Sequence, residues 1–207
     1  LRSWFDFDHY FSDDAFPRVL PFVFGDRTGR VLDVGGNTGK FAVACARFNP
    51  SVEVTILDHP AQLSLARERA QKSGFEKRVH GYPMDLLDHA REFPKGFDVI
   101  WMSQFLDCFG KDDILALMKR AAAAMTPESR FFILEPFTDR QKYEAARFTL
   151  DMTSLYFTSM ANGQSRFYRA SDFHSLLAEA GLEVEAEHGP IRLSHTLLRC
   201  RKRYPVP

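Results

Sequence analysis

The run Val31-Leu32-Asp33-Val34-Gly35-Gly36-Asn37-Thr38-Gly39 constrains this chain more than any other stretch. A short apolar segment (Arg30–Val34) ends in a glycine-rich turn, and the turn opens onto Lys40–Phe48, whose apolar residues recur at helical spacing. A strand that must bend sharply into a helix needs glycine there, because glycine lacks a Cβ and tolerates positive φ. Asn37 stands where a further glycine would serve, and asparagine is among the few residues that enter the left-handed region cheaply. Strand, turn and helix in that order form the opening unit of a parallel α/β sheet.

The remaining sequence repeats the rhythm. Val52–Leu57, Arg78–Tyr82, Phe97–Met102 and Arg130–Glu135 read as further strands. Pro60–Ser73 reads as a helix, with proline at its start and Gly74 just past its end. Lys111–Met125, Ala145–Met160 and Ser171–Ala180 read as helices, and Leu182–Glu187 and Thr196–Arg201 as two closing strands with no helix between them. The expected fold is α/β: a Rossmann-like, mainly parallel seven-stranded sheet with an antiparallel terminal strand and helices on both faces. Residues 1–28 are set apart as an N-terminal helical segment on the substrate side, in which Ser12 or Asp13 caps a helix carrying Phe16, Val19, Leu20 and Val23 on one face. Residues 29–207 form the ligand-binding domain.

Composition narrows the function. Lys+Arg and Asp+Glu balance at 27 each, which excludes a broad nucleic-acid surface. The one basic cluster, Arg199, Arg201, Lys202 and Arg203, is expected to be a solvated strand end. Of the 20 phenylalanines, most are expected in the core and some against a flat, apolar ligand. Three cysteines without a C-x-x-C pair fit a reducing compartment and give no disulfide frame or zinc site. No histidine, cysteine and carboxylate cluster has metal-ligand spacing, so no metal is expected. No apolar run reaches the ~18 residues of a membrane span, and no signal peptide is visible. A cytoplasmic location is therefore expected; the start at Leu1 rather than Met points to something removed upstream.

Open parallel sheets bind ligands at the carboxyl ends of their strands, and polar groups follow four of them. The loop reads D-x-G-G-N-x-G, which departs from the G-x-G-x-x-G spacing of dinucleotide sites. Asp33 would repel a pyrophosphate; it suits a ligand with a cationic ammonium and sulfonium, so a methyl donor is read ahead of a dinucleotide or a bare structural turn. Gly35, Gly36 and Asn37 give the backbone close approach to that ligand. Asp58, at the end of the second strand, can accept from both ribose hydroxyls of an adenosine, or it can cap the helix from Pro60. Met84, Asp85 and Leu86 can sandwich an adenine and accept from its amino group, with Asp88 a second choice for the carboxylate and an ordinary loop aspartate the plain alternative. Ser103 and Gln104 are placed at the methionine end.

With those residues in view, the chain resembles the class I, S-adenosylmethionine-dependent O-methyltransferases of the plant caffeate and bacterial polyketide type. The matching stretches are L-D-V-G-G-N-T-G (Leu32–Gly39), L-D-H-P (Leu57–Pro60), F-D-V-I-W-M-S-Q-F-L (Phe97–Leu106), F-F-I-L-E-P (Phe131–Pro136) and the Asn162–Leu182 segment. The resemblance runs from about Gly29 onward and implies methyl transfer from S-adenosylmethionine, with S-adenosylhomocysteine as product, to a small hydroxyl-bearing aromatic or polyketide-like acceptor. It also implies an upstream winged-helix domain, absent here, through which the full-length protein forms a homodimer, and it matches Ser12–Phe24 to a substrate-binding helix. The family reads L-H-D-W after the fourth strand, and its histidine is the general base. Here the run is Phe105-Leu106-Asp107-Cys108-Phe109, with Asp107 at the histidine position. Asp107 is the candidate catalytic residue: a base if an apolar setting from Phe105, Leu106 and Phe109 raises its pKa, and otherwise a helix cap or an acceptor-orienting group. Glu135 is a second acid candidate or a loop anchor. Asp151, Met152 and Tyr156 share a helix face expected at the acceptor wall, as core or rim. The loss of the histidine leaves a second function open, a domain that holds the cofactor for regulation or scaffolding without catalysis. A nicotinamide-dependent reductase is disfavoured by the loop spacing.

Overall fold

The computed structural model describes residues 14–25, 28–160 and 162–203. The chain divides into two compact units, Leu1–Leu86 and Leu87–Pro207. They hold seven strands among the described residues, three in the first and four in the second, so the alternating α/β pattern expected above is the one found.

The first unit runs α1 (Phe16–Val23), β1 (Arg30–Val34), α2 (Lys40–Phe48), β2 (Glu53–Asp58), α3 (Pro60–Lys72) and β3 (Val79–Pro83). The proposed cap residues Ser12 and Asp13 lie outside the described residues; α1 starts from Ala15 with no side-chain cap and buries Phe16, Val19, Leu20 and Val23, the face read from the sequence. Phe16 meets the edge of Phe41 on α2, ring centroids 5.3 Å apart. β1, β2 and β3 are parallel, with Val34 beside Leu57 and Asp58 beside Pro83. That register brings the carboxyl ends of the three strands to one level. The last carbonyls of α2 are closed by a remote residue: Arg78 donates to Ala46 O at 2.6 Å and to Asn49 O at 2.9 Å. A guanidinium there also suits the negative end of the helix dipole.

The second unit runs β4 (Val99–Ser103), a 3-10 turn (Leu106–Cys108), α4 (Lys111–Ala124), β5 (Arg130–Glu135), a second 3-10 turn (Thr138–Arg140), α5 (Glu144–Met160), α6 (Ala170–Glu179), β6 (Leu182–Ile191) and β7 (His195–Lys202). β4 and β5 are parallel; β7 returns antiparallel to β5, and β6 pairs antiparallel with β7. β6 runs four residues past its expected end because bulges at Val184/Ala186 and His188/Ile191 carry the pairing around a bend. Trp101, Phe131, Phe132, Phe137 and Phe173 are fully buried, which is where the aromatic wealth of the sequence is spent. The basic cluster is more than a solvated strand end. Arg201 pairs with Glu183 at 2.5 Å, and Arg199 and Arg130 close on Glu185 at 3.1 and 2.8 Å, so β6 carboxylates face β7 arginines along the hairpin.

Cys45 and Cys200 are buried and Cys108 is exposed, all three as free thiols. No group of three or more metal-ligating side chains occurs among the described residues. No helix among them is long and apolar enough to cross a membrane.

Candidate functional site

In the first unit the residues singled out from the sequence converge on the level strand ends. Gly35 takes φ 71°, Asn37 φ 49° and Gly39 φ 74°, so the turn uses the left-handed region three times, once at asparagine. Gly36 is required for a different reason. A Cβ there would lie 2.5 Å from Asp33 Oδ2 and 2.9 Å from Ile56 Cγ2, so the loop backbone rests directly on the Asp33 carboxyl. Gly35 N donates to Leu57 O at 2.9 Å, and Asn37 N donates to Asp58 Oδ2 at 2.8 Å. The loop is thus tied to β2 through backbone and carboxylate together.

Asp58 does not cap the following helix. Its other oxygen accepts from His59 N at 2.6 Å, and α3 begins from His59 with no side-chain cap. Each Asp58 oxygen takes one backbone N–H and keeps a second lone pair for a further donor. Asp33 is buried, and its Oδ2 has no hydrogen-bond partner. Burial, and then the charge of Asp58, push the Asp33 carboxyl up to about 8. Burial likewise raises Asp58, against the lowering effect of the His59 and Asn37 amides. Two carboxyls on adjacent strands, both short of solvation, form a setting that repels phosphate and favours hydroxyl donors and cations. Asn37 Oδ1 is a further buried acceptor without a partner.

After β3, Met84 N donates to Asp58 O at 3.0 Å, which holds this segment against the Asp58 strand end. Met84 and Leu86 are buried and Asp85 is exposed, so the two apolar side chains and the carboxylate point in different directions. Sequence reasoning overlooked Arg69 on α3, which donates to Thr38 O at 2.8 Å and anchors the glycine-rich loop from outside. Its sequence setting is an ordinary charged helix face, and nothing in the pattern marks it.

In the second unit, β4 ends at Ser103, whose Oγ is buried and without a partner. Gln104 takes φ 46° and donates its N–H to Leu134 O at 3.0 Å. Glu135 proves to be the loop anchor: it is buried, and its Oε1 accepts from Phe105 N and Leu106 N, both at 3.0 Å. Asp107 lies on the 3-10 turn between Phe105 and Phe109, whose rings meet edge to face at 4.9 Å. α4 starts from Gly110 without a side-chain cap, so Asp107 does not cap it. Cys108 Sγ sits 3.7 Å from Asp107 Oδ1. A second strap holds this turn from the other side: Arg166 N donates to Asp107 O at 2.9 Å, Ser165 Oγ to Cys108 O at 3.2 Å, and Tyr168 Oη to Phe109 O at 2.6 Å. These residues fall in the Asn162–Leu182 stretch that carried part of the resemblance. Asp151, Met152 and Tyr156 lie on α5, which buries none of its residues, so they are not core.

The sequence profile of a family described as "Methyltransferase domain" matches residues 7–187. The chain belongs to that family. It is 26% identical over 185 residues to an L-tyrosine C(3)-methyltransferase of Streptomyces lavendulae, an alignment covering 89% of this chain and 48% of the relative. It is 28% identical over 166 residues to a mitomycin biosynthesis 6-O-methyltransferase of the same organism, covering 78% and 45%. Among solved structures, the S-adenosylmethionine-dependent methyltransferase SibL in its apo form superposes with a TM-score of 0.78 at 28% identity, covering 95% of this chain and 57% of that one. This methyltransferase-domain chain spans about half the length of the curated relatives it matches.

Proposed function

We propose that this methyltransferase-domain chain transfers a methyl group from S-adenosylmethionine to a hydroxyl oxygen of a small aromatic or polyketide-like acceptor, releasing S-adenosylhomocysteine. One observation carries the reading: buried Asp33 beside half-buried Asp58 at adjacent strand ends, both raised by poor solvation, with the loop backbone seated on Asp33 at Gly36. That pair fits a ligand with a vicinal diol and a cationic end, and it opposes the pyrophosphate of a dinucleotide.

In this reading Asp58 accepts the ribose hydroxyls with the lone pairs its amide partners leave open. Gly35, Gly36 and Asn37 bring the backbone close, Asp58 supplies the negative potential, and Asp33 beneath them accepts a hydrogen bond from the ligand's cationic end and gives up its proton as that charge arrives. Met84 and Leu86 offer apolar contact to the adenine and Asp85 accepts from its amino group, while Ser103 and Gln104 serve the methionine end. S-adenosylmethionine supplies, when bound, a methyl group already activated by its sulfonium. The chain's own task is to hold the acceptor in line and keep water away. Asp107 takes or shares the acceptor's hydroxyl proton, and Phe105 and Phe109 form the apolar flank that makes a carboxylate a better base. Glu135 acts through the backbone by fixing the turn that carries Asp107.

The organisation that goes with this function is residues 1–28 on the substrate side and 29–207 as the donor-binding domain. The full-length protein would then be a cytoplasmic homodimer built through an upstream domain. The carbon-methylating relative keeps carbon transfer as the second reading of the acceptor atom. The replaced histidine keeps a donor-binding, non-catalytic role as the contrasting one. Mass spectrometry of an aromatic-acceptor panel incubated with the chain and S-adenosylmethionine, with NMR of any product to place the new methyl on oxygen or carbon, decides among them. A product heavier by one methyl, and lost in Asp107→Ala, supports the assignment. Calorimetric binding of S-adenosylhomocysteine with no methylated product from any acceptor favours the non-catalytic role. Binding of NAD in its place would sink both.

A further inference from the structure

The turn that carries Asp107 has little to hold it from within. Leu106–Cys108 is a single turn of 3-10 helix, closed by Cys108 N on Phe105 O and Phe109 N on Leu106 O, both at 3.2 Å. Such short runs have poor hydrogen-bond geometry. Its leading amides hang from Glu135. On its trailing side, four consecutive residues each commit a backbone group to the strap formed by residues 162–168. Arg166 N donates to Asp107 O, Asn162 Nδ2 to Cys108 O at 3.0 Å and Tyr168 Oη to Phe109 O, while Gly110 N donates to Gln164 Oε1 at 3.1 Å.

Two features fit the strap to this contact. Asn162 both shapes it and fastens it. Its Oδ1 accepts from Gln164 N at 3.0 Å and Ser165 N at 2.8 Å, and its Nδ2 crosses to the turn. Ser165 Oγ lies 2.9 Å from Asn162 Oδ1 and 3.2 Å from Cys108 O, sharing its one proton between them. The second feature is Gly110. Its backbone, φ −73° and ψ 163°, is one that any residue adopts. A Cβ there would nevertheless lie 2.6 Å from Gln164 Oε1, so glycine makes room for the strap and not for a bend.

The strap is anchored in turn. Phe167 N donates to Ser154 Oγ and Thr158 Oγ1 to Ser165 O, both at 3.0 Å on α5. Tyr168 is buried, its ring centroid 5.7 Å from that of Phe173. The bonds from Asn162 and Gln164 are exposed, so water replaces them at little cost in stability. What their loss removes is the fixed direction of the turn. We propose that Asn162 is a positioning residue for Asp107, acting through the Cys108 carbonyl and the strap to aim the carboxylate at the acceptor. The proposal rests on the reading of Asp107 as the group that takes the acceptor's proton.

Initial rates on the phenols of the aromatic panel, at saturating S-adenosylmethionine, test it. Asn162→Ala should lower kcat about 10- to 100-fold, the scale of a small misplacement of a reacting group. The KM for S-adenosylmethionine should not change, and the melting temperature should stay within about 4 °C of wild type. Asn162→Asp keeps the oxygen that shapes the strap, loses the donor to Cys108 O, and should share the loss in kcat. Gln164→Glu keeps an acceptor for Gly110 N and should turn over faster than Gln164→Ala. The deciding readout is the cycle with Asp107→Ala: once the carboxylate is gone, Asn162→Ala should slow the residual rate by less than about 2-fold. Hydrogen exchange needs no turnover, and in Asn162→Ala it should quicken at 107–110 while 99–103 stays protected. Equal losses in both backgrounds, or exchange indifferent to Asn162, overturn the proposal through the strap. No methylated product, or wild-type turnover by Asp107→Ala, overturns it through the reading it rests on, with exchange at 107–110 still dependent on Asn162.

Discussion

Replacing Asp58 by alanine separates donor binding from folding. The wild-type carboxylate accepts from Asn37 N at 2.8 Å and His59 N at 2.6 Å. It does so at a site where burial raises its pKa, so the ionised form is held at a cost. Removing it loses two charge-assisted bonds, worth about 1.5–3 kcal/mol each at most. It also removes a poorly solvated charge, which offsets much of that loss. Net stability should therefore move by no more than about 1 kcal/mol, a shift of a few degrees in the melting temperature of a chain this size. Donor binding has no such offset, because the ribose hydroxyls lose their acceptor and the Asn37 amide loses its anchor. S-adenosylhomocysteine affinity should fall by about 10- to 150-fold, equivalent to 1.5–3 kcal/mol. Isothermal calorimetry and a thermal melt on the same preparations read both quantities. Unchanged affinity would refute the ribose assignment, and a parallel collapse of stability and affinity would refute the argument that the carboxylate is held for the ligand.

Gly36→Ala places a Cβ 2.5 Å from Asp33 Oδ2; a chemical melt should show a loss of about 1–3 kcal/mol, as overpacking does, together with weaker donor binding. Glu135→Ala strands the Phe105 and Leu106 amides and should cost about 2 kcal/mol and raise hydrogen exchange in 104–109, whereas Glu135→Gln, which keeps an acceptor oxygen, should recover most of both. His195 is buried, and burial lowers its pKa from 6.5 to about 4. The folded state thus binds fewer protons than the unfolded chain between those values, so this residue's contribution is intact above pH 6.5 and is lost as pH falls toward 4. The stability difference between wild type and His195→Leu should change by about 3 kcal/mol across that window, since each unit is worth 1.36 kcal/mol; a flat difference would place His195 in water.

Much of the fold was legible because its elements are written in local patterns. β1, α2 and β5 lie at the residues expected, and the other elements shift mostly by a residue or two at their ends. The left-handed Asn37 was legible for the same reason, since it depends on one residue's own backbone preference. The identity of the groups at the strand ends was legible too. Their partners were not. In the sequence Asp58 reads as a helix cap or a ligand acceptor; the structure removes the cap, because α3 begins without one and the carboxylate accepts instead from the Asn37 and His59 amides. Glu135 alone is an acid near a pocket; its role as an anchor follows from two amides 29 and 30 residues away. Arg69 carried no signal because its target is a backbone carbonyl, which has no sequence signature.

α5 marks the boundary between the two kinds of knowledge. Its sequence determined a helix and an apolar stripe, because side-chain spacing and backbone propensity act over a few residues. Whether that stripe met a core or solvent was decided by what the rest of the chain packed against, and here none of the helix is buried. Likewise, residue order determined that carboxylates stand in the last residues of β1 and β2, since each strand ends where its own apolar run ends. Strand register alone, set by hydrogen bonds between segments distant in the chain, decided that two of them would share one poorly solvated place, where the charge of Asp58 adds to burial in raising the proton affinity of Asp33.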